Sequence, residues 1–482
     1  MTIPSHVDPT ARRFSQALGG AWGRYAGVRG SSMWTPLRIV LAVASFTLLL
    51  GFAEKSPCTS GNWTGSKQYT HMCYSDVVPL WSDERLDQGG VPYRDTTVEY
   101  PVLTGTFMWG TAQLTRGVLA ITHTFKDVVV FGGLTAVLLS LCGLMVAAGV
   151  VGAGGKRPYD ALIFAASPLL VFHAFSNWDL LAMALTSGAI WAWAKRKPVL
   201  AGALIGLGTA AKLYPAFLLV AICVLAIRTR RYAPAVWATL TAVFVWLTVN
   251  LPIALAYHVG WVKFYSFSQS RSAERSTVWA MVKTLVSSNV GASDAPAWTP
   301  PGAAVALVLI MALVGVAWLG LSAPVRPRLA QLAFLSVLAF LLTTKVWSPQ
   351  YSLWLVPLLA LARPRWRVTL VWQFVEIVVW FLTLTLLLGQ SPGQSQHGIT
   401  YGWLMLVLVV RDLLLIGIAA QIIREMWNPE LDIVRADGTD DPAGGFFDGA
   451  PDPMSRYVVT SPDEQDELDP ALAGTTQSGP GR

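Results

Sequence analysis

The chain has 482 residues, of which 54% are hydrophobic, only 13% are charged and 21 are tryptophan. Soluble domains carry about 25% charged residues, so this composition excludes a water-soluble enzyme. The net charge of +7 does not argue for nucleic acid either. In an apolar chain, clustered Lys and Arg report which side of a membrane a loop occupies.

A membrane span needs roughly 20 apolar residues, within about 17–25. The apolar runs predict twelve spans, at 35–53, 127–151, 160–175, 178–194, 198–210, 213–227, 233–256, 302–321, 329–345, 350–362, 368–389 and 401–423. The fold class is therefore an all-α polytopic membrane protein. Residues 1–34 form an N-terminal segment with Arg12, Arg13, Arg24 and Arg29. Further basic clusters are Lys195-Arg196-Lys197, Arg228 with Arg230 and Arg231, Arg326 with Arg328, and Arg363 with Arg365 and Arg367. The positive-inside rule places all of them, and both termini, in the cytoplasm. The run 35–53 follows about 34 residues and has no small-residue cleavage pattern behind it, so it reads as a retained anchor.

The first outer loop, 54–126, contains "CYSDVVPLWSDERLDQGGVPYRDTTVEYP", with six carboxylates in 29 residues. Cys58 and Cys73 lie in this oxidising compartment. A bridge between them would contribute on the order of 3 kcal/mol in the chain-entropy model; the alternative is four free thiols. Ser75-Asp76 makes a good helix N-cap before "VVPLW". Asp83, Glu84, Asp87 and Asp95, interleaved with Arg85 and Arg94, read as a solvated face. Glu99 stands beside Tyr100-Pro101 and is a second acid of interest. Residues 101–121 are apolar, yet a span there would move every later basic cluster outside. They are read as a re-entrant or interfacial helix, tolerated where protein or a wet cavity covers it.

Farther along, "FSNWD", with Asn177 and Asp179, turns between two spans. Residues 198–227 must enter and return within 30 residues. Two half-helices meeting at "AAKLYP" satisfy this, since Pro215 removes a backbone donor and biases the preceding residue away from helix. Lys212 sits at that break. Residues 257–301 form a second outer loop. Lys345 lies at the outer end of its span before "VWSPQY"; it can snorkel, or join Lys212 in holding a lipid phosphate. Glu376 and Arg411 near mid-span suggest a structural ion pair. Residues 424–482, rich in Asp, Gly and Pro, read as a disordered cytoplasmic tail.

No Walker loop follows a strand, no Cys/His set has zinc spacing, and no Gly-x-Ser-x-Gly elbow occurs. What remains is an outer cavity with one or two acids and two lysines, suited to transferring a group from a lipid phosphate carrier.

The order "YSDVVPLW", "GGVPYRDTTVEYPVLTG", "FSNWDLLAMAL", "LGTAAKLYPAFLL" and "VWSPQYSLWLVPLL" resembles the C-type superfamily of membrane glycosyltransferases. More narrowly it resembles glycosyltransferase family 87, the actinobacterial polyprenyl-phosphate-mannose-dependent mannosyltransferases. The resemblance covers residues 35–423. It implies a glycosyltransferase C-type fold and inverting transfer of a sugar, most simply mannose, from a polyprenyl phosphate to a lipid or glycan acceptor. The reaction would take place on the outer face of the plasma membrane, in cell-envelope glycolipid or lipoglycan synthesis. Asp76 would take the general-base position, Val91-Pro92-Tyr93 the turn, and Tyr100-Pro101 the last loop element, where Val102 replaces a second Pro. Lys212 and Lys345 would hold the donor phosphate. Tyr93, Tyr100, Asn177, Asp179, Tyr214 and Tyr351 would line the cavity. No nucleotide, soluble cofactor or resident metal is implied, although a metal requirement stays open. An arabinofuranose donor fits the same residues, and a lipid or glycan flippase is the reading from another class, since transporters also build sites from broken helices.

Overall fold

A computed structural model describes Arg13 and residues 34–61, 63–122 and 125–455. Among the described residues there are helices and no strands. The principal helices are α1 (Pro36–Lys55), α2 (Val77–Asp83), α3 (Val102–Thr122), α4 (Asp127–Ala153), α5 (Asp179–Ala194), α6 (Pro198–Ala211), α7 (Leu218–Thr229), α8 (Tyr232–Ala256) and α9 (His258–Ser270), followed by α10 (Gly302–Ser322), α11 (Leu329–Thr343), α12 (Leu355–Ala362), α13 (Trp366–Gly389) and α14 (Tyr401–Trp427).

Among the described residues six helices are long and apolar enough to cross a membrane: Pro36–Cys58, Asp127–Ala153, Tyr232–Ala256, Gly302–Ser322, Trp366–Gly389 and Ser395–Trp427. The other apolar segments are shorter, so full-length spans number fewer than the twelve expected. Residues 160–175 do not form one helix. They divide into short pieces, Pro158–Ala161, Leu162–Ala165 and Pro168–His173, because Pro168 has no N–H to continue the preceding turn. Residues 101–121, apart from Pro101, fall in the continuous 21-residue helix α3, which is not among the six.

The bundle packs most closely where side chains are small. A Cβ on Gly202 or Gly206 of α6 would collide with the backbone of Ala238 or Ala242 of α8. Small residues one helical turn apart allow such close backbone approach, which is the usual device for joining helices in lipid.

The basic residues from Arg196 to Arg365 gather at one end of the bundle, where residues 428–455 pack on them. Arg328 donates to both carboxylate oxygens of Asp432, at 2.7 and 3.0 Å. Arg228 grips Asp452 at 2.9 Å with two nitrogens, and Arg326 binds Asp440. Arg231 and Arg365 donate to the carbonyls of Phe446 and Leu431. Phe447 is buried against Trp193, with ring centroids 5.2 Å apart. Composition alone suggested a disordered tail here. The described part is held instead because its aspartates meet arginines that helix ends leave unpaired. Residues 456–482 and nearly all of 1–33 lie outside the described residues.

A second expectation also changes. Arg411 pairs with its neighbour Asp412, at 2.9 Å, and lies 3.7 Å from the centroid of the Trp347 ring. Glu376 accepts instead from Trp372 Nε1 at 3.0 Å. Glu376 still lies within electrostatic reach of Arg411, but among the described residues the two form no direct ion pair.

Candidate active site

The loop between α1 and α3 begins with a disulfide joining Cys58 and Cys73. Three residues later stands Asp76. Its position is the N-cap of α2, but its side chain makes no capping hydrogen bond. Ser75 does that work: its hydroxyl accepts from Val77 N at 3.2 Å and donates to Phe175 O at 2.7 Å. Backbone pairing of Asp76 N with Ser176 O, at 2.8 Å, docks the turn on the Asn177 loop.

The Asp76 carboxylate is thereby free to face inward. Tyr74 donates to Oδ1 at 2.9 Å and Tyr100 donates to Oδ2 at 3.0 Å. Burial pushes its pKa above the ordinary carboxylate value. Both phenols and the Lys212 charge work against that shift, while the Asp179 charge adds to it. A carboxylate in such surroundings is a better proton acceptor than one in water.

Lys212 lies at the break foreseen in the sequence. α6 stops at Ala211, Lys212 is extended, and the chain resumes in the Tyr214–Phe217 turn. The Ala211 carbonyl freed by the break accepts from the Thr104 hydroxyl at 2.8 Å. Lys212 Nζ meets Asp179 Oδ1 at 2.9 Å. It also lies 5.0 Å from the Tyr100 ring centroid, 4.8 Å from Tyr351 and 6.0 Å from Trp354. Tyr214 and Tyr351 both stack on Trp354, at 4.4 and 4.2 Å. Asn177 orders the same corner, its Oδ1 accepting from Asp179 N at 2.9 Å. Asp76, Tyr100, Asn177, Asp179, Lys212, Tyr214 and Tyr351 are thus one contiguous group.

Other expected residues sit elsewhere. Tyr93 supports the group from outside: its hydroxyl donates to Tyr100 O at 2.9 Å, and its ring occupies the space a side chain at Gly105 would need. Glu99 is exposed, and the hydrogen bonds to the Asp76 carboxylate come from Tyr74 and Tyr100 instead. Lys345 does not point at Lys212's partners. Its Nζ donates to Gln269 O at 2.6 Å, at the end of α9, and Arg271 beside it adds to burial in lowering its pKa. Glu84, expected on a solvated face, is buried, and burial lifts its pKa to about 7.

Several neighbours were not picked out from the sequence. Tyr74 and Trp178 lie inside quoted motifs but carry no charge to mark them. Arg271 is the more informative case. Its side chain is 39% exposed, its guanidinium lies 3.7 Å from Glu274, and it has Tyr351, Glu99 and Tyr100 as electrostatic neighbours. Glu274 in turn accepts from the Ser348 hydroxyl at 3.0 Å. No local pattern marks it, since Lys263, Arg275 and Lys283 stand in the same stretch of chain between α8 and α10.

Among the described residues no group of three or more His, Cys, Asp or Glu could hold a metal ion. The model of glycosyltransferase family 87 matches residues 99–349. No curated protein matches the chain.

Proposed function

The chain belongs to glycosyltransferase family 87, and we propose that it transfers mannose from a polyprenyl-phosphate donor to a lipid or glycan acceptor. The observation carrying this reading is the Asp76 carboxylate, relieved of its capping duty, clamped by two phenols and facing a lysine in an aromatic cage.

In the proposed reaction Asp76 takes the proton of the acceptor hydroxyl. The acceptor oxygen attacks the anomeric carbon, the bond from that carbon to the phosphate oxygen breaks, and polyprenyl phosphate leaves with the electron pair. Attack from the opposite face inverts the centre, so a β-linked donor gives an α-mannoside. Cations at the leaving phosphate stabilise the charge that develops there. Lys212 is already matched by Asp179, so its charge mainly holds the cage and both acids in place. Arg271, partly exposed and loosely paired, is the better phosphate ligand and has the geometry to bind it in a fork. The role expected of Lys345 passes to it. No nucleotide or metal cofactor enters these steps. The site lies on the outer face of the plasma membrane in this reading, with the arginine-rich end in the cytoplasm.

The test is transfer of label from polyprenyl-phosphate mannose by nanodisc-embedded protein to an envelope lipid extract, with the product's anomeric configuration determined. An α-linked product supports the mechanism. Retention, or transport of the donor without transfer, opposes it.

A further inference from the structure

Glu274 lies just beyond the end of α9, on the segment that also carries Arg271. The main chain there is pinned. Glu274 N donates to Lys345 O at 2.9 Å, Ala273 N donates to Trp298 O at 2.8 Å, and Arg411 Nη2 donates to Ser276 O at 2.7 Å. The carboxylate is aimed from the Lys345 side of the same joint. The Ser348 hydroxyl lies 3.0 Å from Glu274 Oε1 and 3.2 Å from Oε2. Ser348 also begins the turn that carries Tyr351, whose N donates to Ser348 O at 2.9 Å.

The carboxylates near the site are not equivalent. Asp76 is clamped by its two phenols. Asp179 is 1% exposed and engaged by Lys212. Glu99 is exposed. Glu274 combines partial exposure, 20% of its side chain, with a fixed direction. An ionised carboxylate accepts at about four positions, and the single Ser348 proton fills one of them. Glu274 is an electrostatic neighbour of both Tyr74 and Tyr351, so it borders the group built around Asp76. Tyr74, Tyr100, Ser348 and Tyr351 are half-buried, which leaves this rim open to a ligand.

Arg271 decides what Glu274 meets. Its guanidinium lies 3.7 Å from Glu274 Oε1. In the donor the sugar is bonded directly to the phosphate, so a group beside the phosphate ligand stands beside the sugar. A carboxylate repels the phosphate and gains nothing from a prenyl chain, whereas sugar hydroxyls donate to it. The geometry points to Glu274 as the residue that selects the transferred sugar, its carboxylate accepting one or two hydroxyls of the ring while Asp76 takes the acceptor. The inference rests on Arg271 binding the donor phosphate. A site built around a substrate hydroxyl rejects the analogue that lacks it, because the protein's acceptor is then left unpaired.

The probes are farnesyl-phosphoryl β-mannoside and its monodeoxy analogues, each lacking one sugar hydroxyl. They are titrated by calorimetry into the full chain in phosphatidylcholine nanodiscs with no acceptor present. In the wild type at least one analogue should bind about tenfold or more weakly than the parent, the worth of a hydrogen bond to a charged group. In Glu274→Ala the parent should weaken by a similar factor, and that same analogue should bind within about twofold of it. The segment should stay in place, because the bond from Glu274 N to Lys345 O belongs to the main chain and persists in alanine. Glu274→Gln keeps the shape and one acceptor oxygen, so it should narrow the gap between the two compounds to about threefold. A glutamate with a purely structural role would weaken every compound by the same factor and preserve the wild-type selectivity, which overturns the inference. Wild-type binding indifferent to every hydroxyl also overturns it. Failure of all the compounds to bind would overturn it together with the donor assignment. Selective binding without transfer to an acceptor would strike the proposed reaction and leave the role of Glu274 standing.

Discussion

Replacing Asp76 by Asn tests the chemistry while preserving the shape. The amide oxygen can still accept from one phenol, and the amide nitrogen can donate to the other phenolic oxygen. At most one net hydrogen bond is lost, about 1 kcal/mol, so the protein should fold. The cations that would hold the donor are untouched. What disappears is the ability to take a proton. General-base catalysis contributes about 10²–10⁴-fold, or about 2.7–5.4 kcal/mol at 1.36 kcal/mol per tenfold. Transfer of label from polyprenyl-phosphate mannose, measured in single turnover with saturating donor, should fall by at least about 100-fold. Donor affinity in the same nanodiscs should change by less than about threefold, which is under 0.7 kcal/mol. A variant that transfers within about threefold of wild type would remove Asp76 from the base position and make Glu99 the next acid to examine.

Tyr100→Phe removes a donor that favours the ionised carboxylate, so the Asp76 pKa, already raised by burial, should rise further. The base must be ionised, so activity on the acid side should be lost at a higher pH than in wild type, as read from kcat/KM against pH; an unshifted acid limb would disconnect Tyr100 from the base. Arg271→Ala should raise donor KM about tenfold, in keeping with loss of a charge-assisted contact, and leave acceptor KM unchanged. Lys345→Ala should leave donor KM near wild type, and a larger effect there than at Arg271 would restore the lysine to the phosphate site. Asp432→Ala strands Arg328, which is 2% exposed, and breaking such a buried pair costs about 3–5 kcal/mol. A thermal melt should fall by several degrees, whereas an unstructured tail would give no change.

Much of this arrangement could be read from the residues themselves. Apolar run lengths identified a membrane protein, and "AAKLYP" placed a break at Lys212 because proline cannot continue a hydrogen-bonded turn. Asp76, Asp179, Lys212 and Tyr351 were each chosen from separate segments, and the fold brings them together. The failures have a common physical origin. Glu376 and Arg411 were paired by depth, but depth does not say which face of a helix a residue occupies. Residues 428–455 looked disordered because their composition lacks apolar residues, and composition does not reveal that buried arginines await their aspartates. Glu84 looked solvated for the same reason, since burial depends on the neighbouring loop. Arg271 was passed over because its value comes from approach to Tyr351 and Tyr100, 80 and 171 residues away in the chain, which no local pattern records.

The most direct test is a structure of the chain holding both polyprenyl phosphate and an acceptor. The account predicts the acceptor hydroxyl within about 3 Å of the Asp76 carboxylate, the reach a general base requires, with the phosphate at Arg271 on the opposite side of the transferred sugar. An acceptor hydroxyl held by Glu99 or Asp179, with Asp76 still closed between Tyr74 and Tyr100, would contradict it.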